Sequence, residues 1–223
     1  MKKIISYSLW GDNPKYIVGA KKNIELAKKF FPDWTIHLYL SDTTDFEYNS
    51  DNLEIIYRKQ ISNQDGCFWR FESCDSDDIV IIRDLDDRLS ERHKFVVDEW
   101  MNSDKDIHII RDHPNHISNY PILAGLFGVR NGRFKRIKEL IENWGNKSFY
   151  TTDQLFLKTH FYNNNFVNSF FIHDSFYSDL GIERKIEKER NDYEFLGDTF
   201  DENDIRVESY RKIIEEYEEK NKN

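Results

Sequence analysis

The stretch DIVIIRDLDD, residues 78–87, sets the apolar run Ile79 to Ile82 directly before Arg83, Asp84, Asp86 and Asp87. An apolar run without polar alternation fits a strand covered on both faces, as in a parallel sheet packed between helices. Upstream, residues 2–9 (KKIISYSL) are rich in strand formers and lead into a Gly-Asp-Asn-Pro turn signal. Residues 14–31 then space Ile17, Ala20, Ile24, Ala27 and Phe31 at near-helical intervals behind Pro14, which suits a first helical turn. Residues 34–41 (WTIHLYLS) alternate as a strand does, LEIIY at 53–57 is a third strand, and 62–74 (SNQDGCFWRFESC) reads as a helix.

The alternation continues downstream. Ser90 caps a helix expected over 91–101, DIHIIRD at 106–112 gives another strand, and ILAGLFGVRNG at 122–132 brings glycines to a place where something packs close to the backbone. An amphipathic helix over 133–145 ends at Gly145, another starts at the cap-type Thr151, and a charged helix over about 202–220 closes the chain and frays. Strands alternating with helices imply an α/β fold, a mostly parallel Rossmann-like sheet flanked by helices. With 223 residues, 39% of them hydrophobic, and no repeat or low-complexity linker, residues 1–223 are expected to form one domain.

A net charge of −9 and a pI near 5.3 argue against nucleic acid as a partner. The N-terminal apolar stretch is too short and too polar for a signal peptide or a transmembrane segment, so the expected localisation is cytoplasmic. In that compartment Cys67 and Cys74 read as free thiols.

In an α/β sheet, ligands bind beyond the carboxyl ends of the strands, where Asp84 and Asp86 fall. One residue apart in an extended segment, their side chains point the same way, and two such carboxylates repel unless a proton or cation lies between them. Hard oxygen donors suit Mg²⁺ or Mn²⁺, which keep positions open for phosphate oxygens. A lone D-x-D is ordinarily solvated loop charge; here it follows a buried strand. The segment 84–95 lacks the central glycine and the closing Glu of an EF-hand.

Taken together, FWRFESCDSDDIVIIRDLDDR at 68–88 resembles the core of the GT-A glycosyltransferases, in which a helix carrying an Arg leads to an apolar strand and a metal-binding D-x-D. The resemblance implies a single GT-A domain that transfers a sugar from a nucleotide diphosphate donor, UDP-sugar by default, to a glycan or other hydroxyl acceptor. It implies Mn²⁺ or Mg²⁺ on Asp84 and Asp86, and Arg70 and Asp84 at the donor. YTTDQLFL at 150–157 is similar to the segment where an Asp-Gln pair faces the transferred sugar, which points to Asp153 and Gln154. NSFFIHDSF at 168–176 supplies His173 as a third metal ligand, with His108, His113 and His116 as competitors. SYSLWGD at 6–12 resembles the segment that cradles the base and ribose, with Tyr7 stacking on uracil, Ser8 beside it and Asp12 at the base edge. ILAGLFG and RDHPNH are expected to wall the acceptor pocket. Inversion would make Asp153 the general base; retention, toward which the Asp-Gln pair leans, would set Asp153 and Gln154 beside the sugar.

The chain departs from the family pattern at Arg83, where an apolar residue is common, and at Asp87 and Arg88. Arg83 either pairs with an acidic neighbour or helps orient the diphosphate. A metal-dependent phosphohydrolase and a non-catalytic nucleotide- or glycan-binding module of the same fold are the alternative readings.

Overall fold

A computed structural model describes residues 1–62, 64–116, 120–145, 147, 149–163 and 167–221. Residue 63 of the expected helix over 62–74 and residues 222–223 of the tail lie outside that set.

Seven strands form one sheet in the order β3-β2-β1-β4-β6-β5-β7: β1 (Lys3–Leu9), β2 (Thr35–Ser41), β3 (Leu53–Arg58), β4 (Ile79–Arg83), β5 (Ile107–Arg111), β6 (Leu126–Val129) and β7 (Phe170–Asp174). Its pairs are parallel except at β6, which runs antiparallel to both β4 and β5. The α/β fold with a mostly parallel sheet expected from the sequence is the one observed. β1 pairs on one side with β2 and on the other with β4, so the strand order reverses across it. Such a switch point opens a crevice at the carboxyl edge.

Period-two alternation divides the core between two faces. Ile5, Tyr7, Leu9 and Ile81 pack with α1 (Pro14–Phe30) and α3 (Glu91–Met101); Ile4, Val80 and Ile82 pack with Phe68, Phe71 and Phe156 on the other side. Both faces of β4 are therefore covered, and all five of its residues are buried. Asn13 caps α1, accepting the Lys15 N–H at 3.0 Å, and Ser90 caps α3 by accepting from His93.

Several helices are shorter than the sequence pattern suggests. The segment before β4 is a single turn, α2 (Gly66–Trp69), that tightens into a 3₁₀ turn over Arg70–Asp75. In place of a helix over 133–145 stands α4 (Ile137–Glu142), because Arg136 is left-handed (φ 66°) and the carboxylate of Asp75 collects the N–H groups of Arg136, Ile137 and Lys138. Thr151 is likewise left-handed (φ 71°) and makes no side-chain cap; α5 (Thr152–Leu157) begins one residue later and gives way to a π-helical turn over Lys158–Tyr162. The charged C-terminal helix, α6, covers Glu208–Asn221, with the preceding residues held in a turn by a Phe200–Arg206 bridge.

Candidate active site

A cleft of about 630 Å³ opens at the carboxyl ends of β1 and β4. Its floor is the 84–86 segment leaving β4, and two glycines let that segment sit there. A Cβ on Gly19 of α1 would lie 1.8 Å from the Leu85 carbonyl oxygen, and one on Gly125 would lie 1.8 Å from Asp84 Oδ2. α1 thus packs directly on the backbone between the two aspartates, while Asp84 fills the space that a side chain at 125 would take.

β1 fixes the position of Arg70. Ser6 Oγ donates to the Arg70 carbonyl at 2.7 Å, and Ser8 Oγ accepts the Arg70 N–H at 2.9 Å. With its backbone held, the buried Arg70 guanidinium reaches two carboxylates, Asp84 and Asp153, the latter at 3.2 Å. Burial works against the guanidinium charge, but Asp84 and Asp153 outweigh it and raise its pKa. Asp153 is raised by burial against the pull of Arg70, and its other oxygen accepts the Gln154 N–H at 2.9 Å. Asp86 is raised by burial and by Asp84, while Lys15, at 2.8 Å, opposes the shift.

The structure therefore gathers Ser8, Arg70, Asp84, Asp86, Asp153 and Gln154 around one cleft. Segments 122–128 and 111–116 also contribute to its wall, through residues such as Leu123, Gly125, His113 and His116. Burial keeps both of these histidines neutral, pushing His116 down to about 3.

Three expected residues lie elsewhere. Tyr7 points into the core between Ile5 and Leu9, only 1% exposed, because odd positions of β1 face α1; it stacks on nothing in the cleft. Asp12 is exposed and does not line the cleft. His173 is engaged at both ring nitrogens, 2.8 Å from His108 and 2.9 Å from Glu99, and does not line the cleft, since β6 and β5 stand between its strand and β4. Arg83, 1% exposed, donates to the carbonyls of Ile82 and Phe127 rather than to a carboxylate, and burial lowers its pKa to about 10.

Sequence reasoning passed over Trp10, Tyr16, Tyr150, Phe195, Thr199 and Tyr210, all of which line the cleft. The aromatic residues near Gly11 were visible as a cluster. The C-terminal contributors carry no motif and are placed by tertiary contact, including the Phe200 N–H donated to the Asp86 carbonyl at 2.9 Å.

Among the described residues no three His, Cys, Asp or Glu side chains group as a metal cluster. Asp84 and Asp86 nevertheless provide two hard carboxylates in the cleft lining, a donor set that fits Mg²⁺ or Mn²⁺ when water and phosphate oxygens fill the other positions.

No family model and no curated protein matches the sequence. Solved structures resemble the fold. The chain is similar to a glycosyltransferase involved in the glycosylation of the major capsid of PBCV-1, at 12% identity over 78% of this chain and 82% of that one, with a TM-score of 0.49. It is similar also to the galactosyltransferase LgtC in complex with donor and acceptor sugar analogs, at 15% identity, 77% and 73% coverage and a TM-score of 0.48. The apo-form glycosyltransferase GlyE of Streptococcus pneumoniae TIGR4 matches at 15% identity over 73% of this chain and 44% of that one, with a TM-score of 0.46.

Proposed function

We propose that the protein is a metal-dependent glycosyltransferase that moves a sugar from a nucleotide diphosphate donor, UDP-sugar favoured, to a hydroxyl of a glycan or similar acceptor. The observation that carries this reading is the meeting of Arg70 and Asp84, from one stretch of the chain, with Asp153, from a distant one, beside Asp86 at the carboxyl edge of β1 and β4. Asp84 and Asp86 would hold Mn²⁺ or Mg²⁺, which when bound neutralises charge on the leaving diphosphate.

The chain's own residues do the positioning. Arg70, its backbone locked to Ser6 and Ser8, presents a fixed positive charge to the phosphate oxygens. Asp153 has one oxygen on Arg70 and the other on the Gln154 N–H, which suits a carboxylate held beside the sugar and favours retention over service as a general base. The wall from Leu123 to Leu126 and the neutral His113 and His116 would exclude water and receive the acceptor.

The test is thermal unfolding with UDP, GDP, ADP and CDP, each with and without Mn²⁺, on the wild type and on Asp84→Ala and Asp86→Ala. A ligand at one hundred times its Kd adds about 2.7 kcal/mol. One nucleotide should raise the midpoint only with metal, and both substitutions should abolish the rise. No response to any nucleotide would sink the reading; phosphate release from simple phosphoesters would then favour a phosphohydrolase.

A further inference from the structure

Both of the paired aspartates already carry a cationic side chain. Arg70 takes Asp84, and Lys15, in the first turn of α1, sets Nζ 2.8 Å from Asp86 Oδ2. The same ammonium lies 4.5 Å from the ring centroid of Tyr16, which lines the cleft. Lys15 and Asp86 keep 23% and 21% of their side-chain exposure, so the pair is mostly covered yet still reached by water. Lys15 itself is not part of the cleft lining, but its partner Asp86 and the neighbouring Tyr16 are.

Resting on the donor-site reading above, we propose that Lys15 is a diphosphate-binding side chain that stays on Asp86 until a nucleoside diphosphate arrives together with a divalent cation. The charge balance at the edge supports this. Three carboxylates, Asp84, Asp86 and Asp153, face two cations, Lys15 and Arg70, leaving the group negative by one. A bare dication reverses that sign and is opposed by the Lys15 ammonium only a hydrogen bond away from one of its carboxylates. A diphosphate brings negative charge that restores the balance and gives Lys15 a new acceptor. A compact ammonium on a flexible four-carbon stem can make that change of partner; a planar guanidinium clamped by two carboxylates, as in Arg70, cannot do so as readily. Lys15 thus penalises the cation that comes alone and rewards the cation that comes with phosphate.

The experiment measures two constants for the wild type, Lys15→Gln and Lys15→Arg: Mn²⁺ affinity without nucleotide, by electron paramagnetic resonance of free Mn²⁺, and affinity for the nucleotide selected above at saturating Mn²⁺, by calorimetry. Lys15→Gln should bind Mn²⁺ alone about tenfold more tightly and the nucleotide about tenfold more weakly, the size expected for one hydrogen bond to a charged group. Lys15→Arg, which keeps the charge, should bind Mn²⁺ as the wild type does. Lys22→Gln, on the same helix but paired with Asp204, should move neither constant. Lys15→Met reads the same two constants if the Gln variant does not fold. Constants that weaken together, as lost packing would cause, or that do not move overturn the role of Lys15 and leave the donor site standing. A wild type that binds neither Mn²⁺ nor any of the four nucleotides overturns both.

Discussion

Arg70 is 6% exposed, and its guanidinium is held between two carboxylates at the wall of the cleft. Truncating it is a blunt probe, because Asp153 would keep a buried charge with its partner gone, a loss that costs ~3 kcal/mol or more. Gly125 gives a cleaner one. In Gly125→Ala the new Cβ displaces the Asp84 carboxylate, whose side chain is 46% exposed and free to swing outward. Nucleotide affinity at saturating Mn²⁺ should fall about tenfold, and the melting midpoint should fall with it, because the buried Arg70 loses one of its two carboxylates. An unchanged affinity measured by calorimetry would mean that Asp84 does not act from this seat. Arg70, Asp84 and Asp153 were visible in the sequence because each sits in a local pattern: an Arg before a buried strand, a D-x-D after it, an Asp-Gln at a helix start. Lys15 was not, since nothing in Pro14-Lys15 states that its partner lies seventy-one positions on.

Helices and strands were legible to differing degrees. β1, β2, β4 and α1 announce themselves by period and composition, and the structure keeps their spans closely. α4 did not, because the amphipathic pattern over 133–145 ignores the left-handed Arg136 and the carboxylate of Asp75 that starts the helix from sixty-one residues upstream. Asp75→Ala removes an acceptor serving Arg136, Ile137 and Lys138, so stability should drop by ~1 kcal/mol. In a chain of this length that is a midpoint lower by about 2–4 °C in calorimetry. A midpoint equal to wild type would show that α4 is held by its packing alone. Tyr7 teaches the converse lesson: alternation along β1 was readable, but which face met α1 and which met Arg70 was not, and Ser6 and Ser8 took the face the ligand reading had given to Tyr7.

The sheet as a whole decides which histidines can reach the cleft. The sequence places His173 after a strand but does not say that β6 and β5 insert between that strand and β4. The same packing makes the molecule sensitive to acid. His116 titrates at about 3 in the fold against 6.5 in the unfolded chain, and burial lowers His108 and His113 as well. Below pH 6.5 the unfolded chain takes up protons that the folded chain refuses, so stability present above that pH is lost as pH falls toward 3. The melting midpoint should decline across this window, and His116→Asn should decline less steeply while matching wild type near pH 8. Equal slopes would show that His116 is not held neutral. The cleft itself is a long-range construction: β1 and β4 supply its floor, yet Phe195, Thr199 and Tyr210 complete its rim, and Phe200 is tied to the Asp86 carbonyl. During synthesis, then, a chain that has emerged only through β4 already carries the floor residues Asp84 and Asp86 but none of Phe195, Thr199 and Tyr210, so no ligand pocket can be closed until nearly the whole chain is made.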